Sequence, residues 1–164
     1  MLESHAESSP RSMPLADASA AHDGLPGNTG DLLILIGRIL VGQLYVVSGW
    51  GKITAISAFS ANMAKAGVPM PEVLGFVGPC VEFFGGLALV FGFMTRWSAA
   101  LLILFTVVAT LIGHRYWEFA DAAVRRGQQI NFYKNVTIIG GFLFLMVTGG
   151  GRFSIDGLLR RRSR

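Results

Sequence analysis

Seven polar residues stand in stretches of this chain that are otherwise oily. Arg38 and Lys52 lie in GRILVGQLYVVSGWGK (37–52), and Glu82 lies in VEFFGGLALVFGFMTR (81–96). His114 ends a third apolar run, and Asn131, Lys134 and Asn135 open a fourth. An ionisable side chain at the centre of a membrane-crossing helix costs about 2.5–3.5 kcal/mol on insertion scales, so each needs a reason. Arg38 and Glu82 are expected to be charge partners, directly or through water. Such a pair serves either to fix packing or as part of a proton or substrate path. Asn131, Lys134 and Asn135 crowd about one turn at a helix start, and a capping asparagine explains only one of them. The others are suited to receive an anion or a carbonyl oxygen such as a quinone's. His114 is expected to cap its helix or bond a neighbour rather than to titrate.

Other chemistries are disfavoured by the residues available. His114 is the only histidine after His5 and His22, and neither zinc-type His/Cys spacing nor paired haem histidines occur, so no metal site is expected. The single cysteine, Cys80, excludes an internal disulfide and a C-x-x-C redox site, and it reads as a small packing residue. Gly78, Gly85 and Gly92 are too widely spaced for a phosphate loop and suit helix packing instead.

The elements that must position these groups are membrane spans. Of the 164 residues 52% are hydrophobic and only 15% charged, and the mean hydropathy is +0.52, too apolar for an ordinary soluble domain. Apolar segments at about 31–52, 72–94, 96–119 and 130–149 each approach or exceed the roughly 20 residues that cross a hydrocarbon core. In lipid such lengths fit helices. The expected fold is all-α, an integral membrane four-helix bundle, with a short amphipathic helix (53–66) between spans one and two. GVPMP (67–71) breaks that helix, Thr95 and Arg96 form a tight turn, and EFADAAVRRGQQI (118–130) is a polar loop. Residues 1–30 read as a disordered tail without the basic and apolar regions of a signal peptide. Residues 31–159 form the membrane domain, and 160–164 (RRRSR) a basic tail.

Helical spacing tells where the polar groups point. Steps of three or four from Arg38 reach Gly42, Tyr45, Gly49 and Lys52, so one face of the first span is polar and small. Gly78, Glu82 and Gly85 share a face of the second span, and Thr106, Thr110 and His114 a face of the third. These faces should meet inside the bundle. Arg38 lies about 10 Å below Asp31, and Glu82 about 14 Å from the opposite surface, which leaves an axial offset of about 6 Å. Lys52, His114, Asn131, Lys134 and Asn135 gather at the other interface above Glu82, as a polar pocket. Trp50, Tyr116, Trp117, Phe132 and Tyr133 mark that interface, and Trp97 marks the opposite one. The arginine turn and terminal cluster favour a multi-pass plasma-membrane protein with both termini in the cytoplasm. A net charge of +4 without a basic, aromatic-laced module gives no reason to expect nucleic acid as a partner; the lipid bilayer is the partner expected.

In order along the chain, GRILVGQLYVVSGWGK, GVPMP, VEFFGGLALVFGFMTR, the His114 region, NFYKNVTIIGG (131–141) and GGGRFSIDGLL (149–159) resemble the DoxX family of small four-span membrane proteins. By that resemblance Arg38, Lys52, Glu82, His114, Asn131, Lys134 and Asn135 match the family's recurring polar positions. GGGR (149–152) replaces the family's usual Gly-Pro-Gly-Arg. The resemblance implies an association with quinol- or thiosulfate-oxidising complexes and with quinone or thiol stress. The expected function is therefore an accessory subunit of a redox-linked membrane system, not an enzyme on its own. It binds no cofactor through its own ligands, takes quinone as a candidate ligand and has a redox enzyme subunit as a candidate partner. A small transporter or ligand-binding membrane protein, and a structural scaffold, are the alternatives.

Overall fold

The computed structural model describes residues 27–163. Its helices are α1 (Gly27–Thr54), α2 (Ile56–Lys65), α3 (Pro71–Phe91), α4 (Thr95–Gly113), α5 (Ala122–Thr148) and α6 (Ile155–Arg162), with a 3₁₀ turn at Tyr116–Glu118. No strand occurs among the described residues. α1, α3, α4 with its 3₁₀ extension, and α5 are long and apolar enough to cross a membrane. The chain is an all-α integral membrane protein with a short helix, α2, after the first span. Of the tail expected over residues 1–30, all but 27–30 lies outside the described residues, as do His5 and His22. Gly27–Gly30 form the first turn of α1.

Three connections differ from the sequence expectation. The loop expected over 118–130 is helical from Ala122 onward, because Asp121 caps it by accepting from the Val124 N–H at 2.8 Å. Ala, Arg and Gln sustain a helix without being oily, so a hydropathy argument stops too late. Thr95 and Arg96 do not form the turn between α3 and α4 but open α4. The reversal falls at Gly92–Met94, with Gly92 at φ +67° and Met94 at φ +44°. Arg160–Arg162 belong to the last turn of α6 rather than to a separate tail.

α3 is the hub, packing on α1 most extensively and also on α2 and α4, while α5 lies chiefly on α4. The core is small: Tyr45, Leu89, Ala99, Leu102, Phe142 and Leu145, with the Tyr45 and Phe142 rings 5.4 Å apart. Large apolar side chains such as Val47, Phe84, Leu104, Phe144 and Val147 point outward, as suits acyl chains. α1 and α3 touch almost backbone to backbone. A Cβ added at Gly49 would lie 2.6 Å from the Phe83 nitrogen, and one at Gly86 would lie 2.9 Å from the Val46 nitrogen. Without a hydrophobic drive between helices in lipid, this close van der Waals approach holds the pair together. Gly86→Val should lower stability by about 1–3 kcal/mol through overpacking. Gly51→Val on the same helix pair, where nothing lies within 4 Å, should change it little. Thermal unfolding in detergent micelles checks both.

Candidate functional site

The polar residues fall into two centres at opposite ends of the bundle. At the first, the Arg38 side chain is fully buried, its Nη1 donating to the carbonyls of Leu89 (3.3 Å) and Val90 (3.4 Å) and its Nη2 to that of Phe153 (2.5 Å). The last carbonyls of α3 have no partner within their helix and carry the negative end of its dipole, so a guanidinium suits them. Its fork occupies the space a side chain at position 92 would need, which Gly92 leaves open. Asp156 plays the converse part at the next helix. Its Oδ1 accepts from the Met94 N–H (2.8 Å), and its Oδ2 accepts from the Thr95 N–H and hydroxyl (both 2.8 Å). Met94 cannot cap α4 with its own side chain, so a carboxylate from α6 does so. The Asp156 N–H in turn donates to Gly92 O at 3.0 Å.

Arg38 is therefore not the partner of Glu82. In the observed register Gly42 lies against Gly86 and Val90, and Gly49 against Phe83. Arg38 thus stands level with the end of α3, and Glu82 lies about 10 Å further along that helix. The expected offset placed Arg38 too deep. α1 runs on past the end of α3 and meets the segment after α5, where Asp31 accepts from the Arg152 N–H at 2.8 Å. Both headgroups do face inward, Arg38 at 0% exposure and Glu82 at 5%.

The second centre is built on Glu82 and Lys52. The Lys52 ammonium lies 2.6 Å from the Glu82 carboxylate and also donates to Ser48 Oγ at 2.8 Å. Beside them a cavity of about 180 Å³ opens between α1, α3, α4 and α5. Tyr45, Ser48 and Lys52 line it from α1, Glu82 from α3, Thr106 and Ala109 from α4, and Lys134, Asn135 and Ile138 from α5, with His114 at the end of α4. Asn131 is not part of the lining. It stands one turn outside, where Lys134 donates to its Oδ1 at 3.0 Å. The aromatic residues Tyr116, Trp117, Phe132 and Tyr133 form a cluster of edge-to-face rings beyond it.

Hydrogen-bond directions in this cavity follow by elimination. The Thr106 hydroxyl donates to Leu102 O (2.6 Å), so in its 2.6 Å contact with Tyr45 the phenol must donate. Thr110 donates to Thr106 O (2.6 Å), so the Asn135 amide nitrogen donates to Thr110 at 2.8 Å. His114 Nδ1 donates to Gln128 Oε1 at 2.7 Å. Acceptors thus remain on Tyr45, Asn135 and Glu82, and donors on the two lysines, the Ser48 hydroxyl and the second Asn135 N–H. Spacing along the spans exposes Tyr45, Thr106 and Thr110 as inward-facing. Ser48, Gln128 and Asp156 escape that reading. The only sequence signal for Asp156 is a lone acid in an otherwise basic segment after the last span.

Lys52→Met should strand the Glu82 carboxylate and destabilise the fold by about 2–3 kcal/mol, the lower side of a broken buried pair because part of Lys52 reaches solvent. Adding Glu82→Gln should recover most of that loss. Arg38→Met, which leaves the Val90 and Phe153 carbonyls unpaired and Leu89 O with the Gly92 N–H alone, should cost about 2–4 kcal/mol. Its effect should add to that of Glu82→Gln within about 0.5 kcal/mol, as for sites without a shared partner. Unfolding midpoints in micelles provide the cycle.

Known proteins are similar to this chain in sequence. The DoxX family model matches residues 33–115, and the SURF4 family model matches residues 78–161. The chain is 41% identical over 135 residues to inner membrane protein YqjF of Escherichia coli, covering 80% of this chain and 95% of that one. It is 37% identical over 130 residues to inner membrane protein YphA of the same organism, with 79% and 92% covered. It is also 28% identical over 109 residues to the Surfeit locus protein 4 homolog of Schizosaccharomyces pombe, with 65% and 35% covered. No solved structure matches. The four spans, the family match across α1, α3 and α4, and the near full-length bacterial relatives agree: the chain belongs to the DoxX family of integral membrane proteins.

Proposed function

We propose that the chain is an accessory subunit of a redox-linked inner-membrane system. In this reading it holds the headgroup of a quinone or quinol in the cavity beside Lys52 and Glu82, and a partner protein carries the electrons. The mixed hydrogen-bonding wall of the cavity is the observation that carries the reading. A quinone presents two carbonyl acceptors and a quinol two hydroxyl donors. Lys52 and Lys134 can serve the first, and Tyr45, Asn135 and Glu82 the second. At about 180 Å³ the cavity is below the usual range for drug-sized ligands, and it suits a single substituted ring whose tail leaves into lipid. The two bacterial relatives are by name inner membrane proteins, which supports the same membrane here. Both ends of the described chain lie at one face, where Asn28 accepts from Arg152 and where Arg96 and Arg160–Arg162 also sit, and that supports cytoplasmic termini.

A small transporter or ligand-binding membrane protein is the second reading, favoured by exposed Lys134 beside Asn131 at the cavity mouth. The test is the unfolding midpoint of purified protein with short-chain quinones, their reduced forms and small anions. A ligand at a hundredfold its Kd should stabilise by about 2.7 kcal/mol, a shift of several degrees. The proposal expects that shift with a quinone or quinol, and its loss in the folded Lys52→Met/Glu82→Gln variant. A shift with anions alone supports the second reading. No shift with any quinone or quinol overturns the first.

A further inference from the structure

The face that carries α6 holds unneutralised arginines next to an apolar collar, and the cavity at the other end does not involve it. Arg96, Arg152, Arg160, Arg161 and Arg162 lie there. The acids on this face among the described residues are Asp31 and Asp156, and both are engaged with backbone N–H groups. Only Arg152 lies in an ion pair, at 3.9 Å from Asp31. Arg96 and Arg160 donate to backbone carbonyls alone.

α6 itself is two-sided. Gly157 is buried against the backbone of Gly151 and Arg152, and Asp156 reaches α4, so one edge is fastened to the bundle. Ile155, Leu158 and Leu159 form the free edge at steps of three and four, the two leucines more than half exposed. Phe93, Met94, Trp97 and Phe153 extend this apolar surface around the end of the bundle, with Trp97 73% exposed. A helix with an apolar edge bordered by arginines and pinned at the rim of membrane spans matches the physics of an interfacial helix.

We propose that α6 and its neighbours form a binding collar for anionic phospholipid headgroups. The Ile155–Leu158–Leu159 edge enters the acyl boundary, and Arg160, Arg161 and Arg162 with Arg96 engage the phosphates. Charge complementarity selects the occupant, since every acid on this face among the described residues already serves backbone N–H groups. The inference does not depend on what the cavity binds.

Full-length protein reconstituted in nanodiscs of phosphatidylcholine with or without phosphatidylglycerol tests it. Lipid retained through purification from the mixed discs should be enriched in phosphatidylglycerol on the order of tenfold at low salt, the preference expected when a few arginines meet an anionic surface. The enrichment should fade as ionic strength rises. Arg160→Gln/Arg161→Gln/Arg162→Gln should lose most of it, whereas Arg125→Gln/Arg126→Gln on the opposite face should keep it. The midpoint of the triple variant in phosphatidylcholine alone, expected to equal that of the parent, separates folding from lipid recognition. If that midpoint falls, Arg161→Gln/Arg162→Gln, which spares the Arg160 bond to the Asp156 carbonyl, repeats the comparison. Equal retention of both lipids by the parent, or enrichment that survives removal of the arginines, overturns the proposal.

Discussion

The guanidinium of Arg38 on the carboxyl end of α3 is the contact on which the closed end of this bundle depends. The chain reverses between α3 and α4 within Gly92–Met94, so two helix ends with unpaired backbone groups meet in a region short of water. Each is satisfied from a distance, the carbonyls of α3 by a cation from α1 and the N–H groups of α4 by a carboxylate from α6. Both charges suit the local helix dipole. Because the same arginine also holds Phe153 O, it joins the first span, the turn between spans two and three, and the segment after the last span.

The other end is organised around a different charge pair. Glu82 need not neutralise Arg38, so it is available to Lys52, and the pair borders a cavity. Side chains around that cavity are committed to one another in one direction only, through Tyr45 to Thr106 and Asn135 to Thr110, which leaves unused acceptors and donors facing the space. The unused donors and acceptors that face this space are what the proposed binding role rests on.

Much of this was legible in the residues. The four spans follow from apolar length, and the inward faces of α1 and α4 follow from steps of three and four through Arg38, Tyr45 and Lys52 or through Thr106 and Thr110. What spacing cannot give is register between helices. Depth counted from Asp31 pairs Arg38 with Glu82, yet α1 starts at Gly27 and overruns α3, so the arginine meets carbonyls. Backbone carbonyls are the same for every residue type, so no letter in the sequence marks them as partners. The early start of α5 escaped for a related reason: helix propensity and an Asp121 cap, rather than oiliness, carry its first two turns.

The central claim is that the two charge centres are separate, and charge reversal tests it most directly. The unfolding midpoint of Lys52→Glu/Glu82→Lys, measured in micelles beside each single substitution, should recover most of what Lys52→Glu alone loses, since the pair is only turned around. Arg38→Glu/Glu82→Arg should recover nothing beyond the sum of its two singles. Recovery in the Arg38 swap, with none in the Lys52 swap, would contradict the account.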